Sequence, residues 1–184
     1  MELKLYPDDS LSSECDEVTE FNEELHTQLD EMTSIMRARN GLGLAANQVG
    51  ILQRFFIMEK LVWVERLNEN TQLKVWGWHP KGEILELINP VIIETSEELY
   101  RYREGCLSAP SVHEWVPNRS KSIIVRCKDR NGISKTYATS DIMSVCVQHE
   151  IDHLNGIFFF DRLPRILARA ARKRWKKRRK KLGL

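Results

Sequence analysis

The order of helical and strand patterns along this 184-residue chain is consistent with an α+β fold. Three observations point that way. An amphipathic helix opens the body, strand-like runs separated by turn residues fill the middle, and two helical segments close the chain. Residues 20–39 form the first helix, because Phe21, Leu25, Leu29, Met32 and Met36 recur on one face. Asn40-Gly41 supplies its stop. The segment GLGLAANQVG (41–50) is rich in glycine and alanine, and QRFFIM (53–58) reads as a strand. EILELINPVIIE (83–94) reads as a strand interrupted at Pro90. SIIVRCKD (122–129) and ISKTYA (133–138) flank Asn131-Gly132, a dipeptide that favours a type I′ hairpin turn. Residues 139–156 read as a second helix, capped by Ser140 or Asp141 and ended by Asn155-Gly156. Pro164 fits the first turn of a last helix reaching Leu182. The Trp-containing stretch 60–84 is an excursion whose tryptophans need somewhere to pack.

Composition excludes several classes. Hydrophobic residues are 42% and charged residues 29%, an ordinary globular balance that argues against disorder, a fibre or a disulfide-stapled miniprotein. No run approaches the apolar length of a membrane span, and MELKLYPDDSLSSEC lacks a signal core, so a cytoplasmic protein with no membrane insertion is expected. The net charge of +2 conceals an asymmetry. Residues 162–184 carry twelve of the 28 Lys and Arg residues and no acid, leaving 16 basic against 26 acidic groups before them, a net of −10. Cys15, Cys106, Cys127 and Cys146 have no CxxC spacing. Each taken alone reads more readily as a small core residue than as a ligand.

The sharpest chemical signal is HEIDH (149–153). Residues four apart lie one above the other on a helix, so His149 and His153 can hold one metal ion, with Glu150 beside it as a base. Two of the five histidines fall in this pattern, which argues against an incidental solvated face. Asp152 is a candidate acceptor for an imidazole N–H, or a plain surface carboxylate. A catalytic site needs a third protein ligand. Downstream of His153 the sole acid is Asp161 and there is no histidine, so the ligand must come from upstream. Cys146 lies on the apolar stripe of the same helix. Cys106, in what reads as the loop EGCLSAP (104–110), is the better placed, and a thiolate suits a borderline divalent metal.

GLGLAANQ (41–48), EGCLS (104–108) and QHEIDH (148–153) together resemble the three signature motifs of the peptide deformylase family, in the family's order. The opening YPDDSLSSECDEV also resembles that family's start, and the likeness runs through residues 5–163. It implies antiparallel sheets wrapped around a central metal-binding helix, with a C-terminal helix beyond. It further implies that Cys106, His149 and His153 hold one divalent ion, characteristically Fe(II), with Zn(II) or Ni(II) able to replace it. Glu150 would shuttle the proton. The Gln48 side chain and the Leu107 backbone N–H would stabilise the oxyanion. The implied substrate is the formyl-methionine end of a nascent chain. Leu42, Gly43, Gly105 and His113 would line its cleft, and Ile142, Val145 and Cys146 the methionine pocket; packing alone is the plainer role of the last three. His113 stands where some members have arginine. The Gly-x-Gly of 41–43 is not a dinucleotide loop, since it follows a helix and lacks a third glycine.

The division expected is a catalytic body, 1–163, and a basic helical extension, 164–184. Arg165, Arg169, Arg172, Lys173, Arg174, Lys176, Lys177, Arg178, Arg179, Lys180 and Lys181 crowd that extension. Such density is a solvated face or a surface for an anionic partner. Helix-tailed members of the family dock this helix near the ribosomal exit tunnel, so ribosomal RNA is the partner implied. Ile166, Leu167, Ala170 and Trp175 offer a thin apolar line for docking on the body. A monomer is the favoured state. Two other readings remain: an HExxH endopeptidase, disfavoured by the missing downstream ligand, and an RNA-binding module with an idle catalytic body.

Overall fold

The computed structural model describes residues 1–60, 63–64, 75–76 and 83–183. Helix α1 (Glu23–Ala38) starts where the Asn22 side chain accepts from the Leu25 N–H at 3.1 Å. Phe21 therefore precedes the helix rather than joining its face. Strands β1 (Gly43–Ala45), β2 (Phe55–Glu59), β3 (Trp63–Val64), β4 (Val75–Trp76), β5 (Ile84–Thr95), β8 (Ser122–Lys128) and β9 (Ser134–Ser140) form one sheet in the order β1-β2-β5-β8-β9-β4-β3. A separate ribbon pairs β6 (Leu99–Gly105) with β7 (His113–Ser120). Helix α2 (Asp141–Leu154) lies between them, and α3 (Arg165–Leu182) closes the chain. Apart from the parallel contact of β4 with β9, the pairings are antiparallel, and this is the α+β arrangement of sheets around a central helix.

Strand β2 is buried along its whole length, because both of its faces meet a helix. Phe56 and Met58 pack with Met143, Val147 and Ile151 of α2. Phe55 and Ile57 pack with Leu25, Leu29, Met32 and Met36 of α1. That is the physical content of the unbroken apolar run in the sequence. A third cluster joins Val112 and Val116 to Phe158, Phe159, Phe160 and Trp175.

Four sequence expectations need correction. Pro90 does not interrupt β5; the strand continues past it, with a register shift between Ile88 and Val91. Asn89 sits at φ 50° there, and its amide clamps both backbone groups of Val18, at 2.9 and 2.8 Å. The β8–β9 hairpin forms, but Gly132 is left-handed and Asn131 is not. Asp129 receives the Gly132 N–H and donates to the Ile133 carbonyl, so the loop is a bulged three-residue type rather than I′. Ser140 precedes α2 without a side-chain cap bond. The segment EGCLSAP is half strand, since Glu104 and Gly105 end β6 before the chain turns at Cys106.

The C-terminal helix forms over the expected residues, and of the expected apolar line Trp175 docks it, joined by Ala168 and Ala171 in place of Ile166 and Leu167. Ala168, Ala171 and Trp175 are buried, whereas Ile166 is 82% exposed and Leu167 is also outside. The spacing of three and four puts the buried three on one stripe. The Trp175 indole N–H donates to the Tyr6 carbonyl at 2.7 Å. No described helix is long and apolar enough to cross a membrane. Of the stretch 60–84, most of it, including Trp78, lies outside the described residues.

Candidate active site

Helix α2 turns its last two turns toward the ribbon. The ribbon is tied to it by the Ser120 carbonyl, which accepts from Ser144 Oγ at 2.7 Å and Gln148 Nε2 at 2.9 Å. This docking sets Cys106, at the end of β6, against His149 and His153. The candidate ligand atoms of the three residues all lie within 4.8 Å of one another. Cys106 Sγ is 3.2 Å from His153 Nε2. His149 Nδ1 meets Glu104 Oε2 at 2.8 Å, which fixes the ring and leaves Nε2 for the cluster.

Glu104 carries no distinguishing signal in the sequence, yet it organises the site. Its carboxylate is buried and receives Arg119 Nε at 2.7 Å and Nη2 at 2.9 Å. Arg119 also reaches Asp152 Oδ2 at 2.6 Å. Asp152 therefore does not hold an imidazole, as one reading of the motif suggested; it pairs with Arg119 and Arg162. Burial opposes ionisation of Glu104, but the His149 and Arg119 contacts overcome it and bring the pKa down to about 2. The signal available in the sequence was only the glutamate two places before Cys106.

The electrostatics of the imidazoles diverge. Burial disfavours a charged His149, but the facing Cys106 sulfur and Glu104 carboxylate outweigh it and raise the pKa well above the ordinary value. Burial, with the charges of His149 and Arg119, holds His153 well below its usual value and so neutral. Burial pushes Glu150 up to about 7. Cys15, Cys127 and Cys146 are also raised by burial, which suits packing residues.

The cluster fits a single divalent ion. A sulfur and two imidazole nitrogens converge, as a borderline cation prefers. Beside them, Glu150 Oε2 is buried with no hydrogen-bond partner among the described residues. A lone carboxylate oxygen costs free energy there, and a proton donor in the cluster would satisfy it. Gly43 faces the same carboxylate: a Cβ at that position would stand 2.5 Å from Glu150 Oε1.

Gln48 is buried on the single turn of 3₁₀ helix after β1. Its amide oxygen accepts from the Ala45 N–H at 2.8 Å. Its amide nitrogen then points at Cys106 Sγ, 3.3 Å away, and Ser108 Oγ, 3.1 Å away. The Leu107 N–H is engaged by no hydrogen bond among the described residues. A cleft of about 390 Å³ opens on the cluster. Leu42, Gly43, Gly105, His113, Ile142, Val145 and Cys146, each expected from the sequence, all line it. So do Arg39, Asn40, Tyr102 and Arg103; Arg39, Asn40 and Arg103 are exposed polar groups that carry no sequence pattern, and Tyr102 is a half-buried aromatic on the inward side of β6.

An HExxH helix facing a cysteine at a cleft, with a buried carboxylate oxygen of Glu150 that has no hydrogen-bond partner among the described residues, defines the class: a metal-dependent hydrolase. Comparison with known proteins agrees. The profile of the family described as polypeptide deformylase matches residues 1–168. A peptide deformylase of Hydrogenovibrio crunogenus is 36% identical over 177 residues, 96% of this chain and 94% of that one. One of Helicobacter pylori strain G27 is 39% identical over 163 residues, 89% and 86% of the two. Among solved structures, a peptide deformylase of Ehrlichia chaffeensis superposes with TM-score 0.84 at 30% identity, over 100% and 99% of the chains. One of Legionella pneumophila gives 0.83 at 27% identity, over 99% and 96%. The chain belongs to the polypeptide deformylase family.

Proposed function

We propose that this chain removes the formyl group from the N-terminal formyl-methionine of nascent polypeptides, with the catalytic roles assigned as follows. Cys106, His149 and His153 hold one divalent ion, natively Fe(II), with Zn(II) or Ni(II) as substitutes. When bound, the ion would supply Lewis acidity toward the formyl oxygen and toward the attacking water. Glu150 takes a proton as water oxygen bonds to the formyl carbon. It delivers that proton to the departing nitrogen as the C–N bond breaks, giving formate and a free amine. The Gln48 amide N–H and the Leu107 N–H donate to the oxygen on which negative charge develops. Glu104 and Arg119 hold His149 in register. The formyl-methionine side chain sits against Ile142, Val145 and Cys146, with Leu42 opposite. The peptide backbone runs past Gly43 and Gly105, and His113 stands at the cleft edge.

The observation that carries this reading is the convergence of Cys106, His149 and His153 beside the unpartnered Glu150 oxygen. The test is formate release from formyl-Met-Ala-Ser by protein purified with Fe(II) under anaerobic conditions. Turnover that stops on chelation and returns with Fe(II) is expected. Cleavage of internal peptide bonds, or no turnover with any divalent ion, would refute it.

The body, residues 1–163, carries this chemistry, and the extension, 164–184, brings the enzyme as a monomer to ribosomal RNA in the cytoplasm. Not every cation of the helix faces outward. Arg172 bonds Tyr6 and Asp161, Arg174 pairs with Glu114, and Arg179 reaches the Tyr6 carbonyl. Arg165, Arg169, Lys173, Lys176, Lys177, Arg178, Lys180 and Lys181 are exposed and form the proposed RNA-binding face. Replacing Lys176, Lys177, Arg178, Lys180 and Lys181 with glutamine should abolish ribosome co-sedimentation at low salt. Undiminished co-sedimentation would contradict the assignment.

A further inference from the structure

The cleft mouth carries a charge pattern that hydrolysis of a formyl group does not call for. Its two walls come from different parts of the fold. One is the end of α1 and the start of β1, where Arg39 closes the helix and Asn40, at φ 53°, turns the chain. The other is β6, whose exposed face bears Arg103. Both arginines line the cleft and both are exposed. Neither has a carboxylate partner among the described residues. Arg37, two places before Arg39, is by contrast held by Glu59 at 2.7 Å.

The cleft's own acids do not balance them. The carboxylates among its described lining residues are Glu104 and Glu150, both buried, and Glu104 is neutralised by Arg119. The mouth is therefore locally cationic on a body that is net acidic. Strand β1 lies at an edge of its sheet, so an extended peptide can run beside it. Gly43 marks the reacting end, against Glu150. An extended chain advances about 3.3 Å per residue, so the second and third residues after the reacting one would leave the cleft past a rim that bears Arg39 and Arg103.

We propose that Arg39 and Arg103 make this cleft select formylated peptides bearing Asp or Glu two to three residues after the formyl-methionine. The proposal rests on the deformylase reading and adds the sequence preference of its substrates. The two guanidiniums are solvent-exposed, so each contributes modestly, roughly two- to fivefold in kcat/KM. The effect should reside mainly in KM, because the contact is remote from the reacting atoms and equal in ground and transition states. It should weaken as salt rises.

The test compares formate release from formyl-Met-Ala-Asp-Glu, formyl-Met-Ala-Ser-Ala and formyl-Met-Ala-Lys-Lys by the Fe(II)-loaded full chain. The expected order of kcat/KM is acidic, neutral, basic. Arg39→Gln and Arg103→Gln should each narrow the spread. The double charge reversal, R39E with R103E, should invert it, which a folding defect cannot do. Equal rates on the three peptides, a preference for lysine, or a spread unchanged in the variants would overturn the proposal. Absence of formate from every peptide would instead refute the deformylase reading, and the preference with it.

Discussion

Gly43 and Glu150 show how closely residue identity is tied to this site. The carboxylate lies where any side chain at position 43 would stand, so glycine there is a packing requirement rather than a flexible link. Gly43→Ala should displace Glu150 and lower kcat by at least tenfold, with metal content unchanged; formate release and metal analysis on one preparation check both. Glu150→Gln keeps the shape but removes the base. It should retain the ion and lose about 10²–10⁴ in kcat. Near-normal turnover would remove Glu150 from its proposed role. The residues that sequence reading placed in the cleft had strong identities, with imidazoles at helical spacing and a thiol between glycine and a turn. Glu104 and Arg119 were not legible, because a buried ion pair between distant residues leaves no local pattern.

At the scale of elements, the docking of the β6–β7 ribbon on α2 is decisive. Arg119 of β7 bridges Glu104 of β6 and Asp152 of α2, so one guanidinium ties the ribbon to the helix that bears both imidazoles. Arg119→Leu removes the cation shared by two buried carboxylates, leaving Asp152 to Arg162 and Glu104 to His149, and should cost about 3–5 kcal/mol, read from urea denaturation. A cost under about 1 kcal/mol would mean that the bridge is not structural. The ribbon also marks where sequence reading ended. LYRYREG alternates, but its inward side chains are Tyr100, Tyr102 and Glu104, so its buried face looks polar. The unbroken run of β2 and the 3.6-residue stripe of α1 were plain because each buries aliphatic and aromatic groups. In α3 the thin apolar line was right for Trp175 and wrong for Ile166 and Leu167, since Ala168 and Ala171 pack beside the indole on the body instead. Trp175→Ala should free this helix, raising trypsin cleavage after its lysines and arginines while formate release persists. An unchanged digestion pattern would contradict the docking role.

On the scale of the whole molecule, charge is partitioned. An acidic body carries a cationic helix on one side and buries its own ion pairs around α2. The buried network makes stability depend on pH. Glu104 titrates near 4.5 when unfolded and about 2 when folded. The unfolded chain therefore binds more protons between those values. The stabilisation is fully present above about pH 4.5 and is lost as pH falls toward 2. Denaturation midpoints of the metal-free protein should drop over that window, and Glu104→Gln should flatten the drop. A midpoint independent of pH there would show that Glu104 is not held ionised.

All of this turns on three donors from two distant segments sharing one ion. The most direct measurement is the X-ray absorption spectrum of Zn(II)-loaded protein. One ion per chain is expected, with one sulfur at about 2.3 Å and two imidazole nitrogens at about 2.0–2.1 Å. A coordination shell without sulfur, or one retained unchanged in Cys106→Ala, would contradict it.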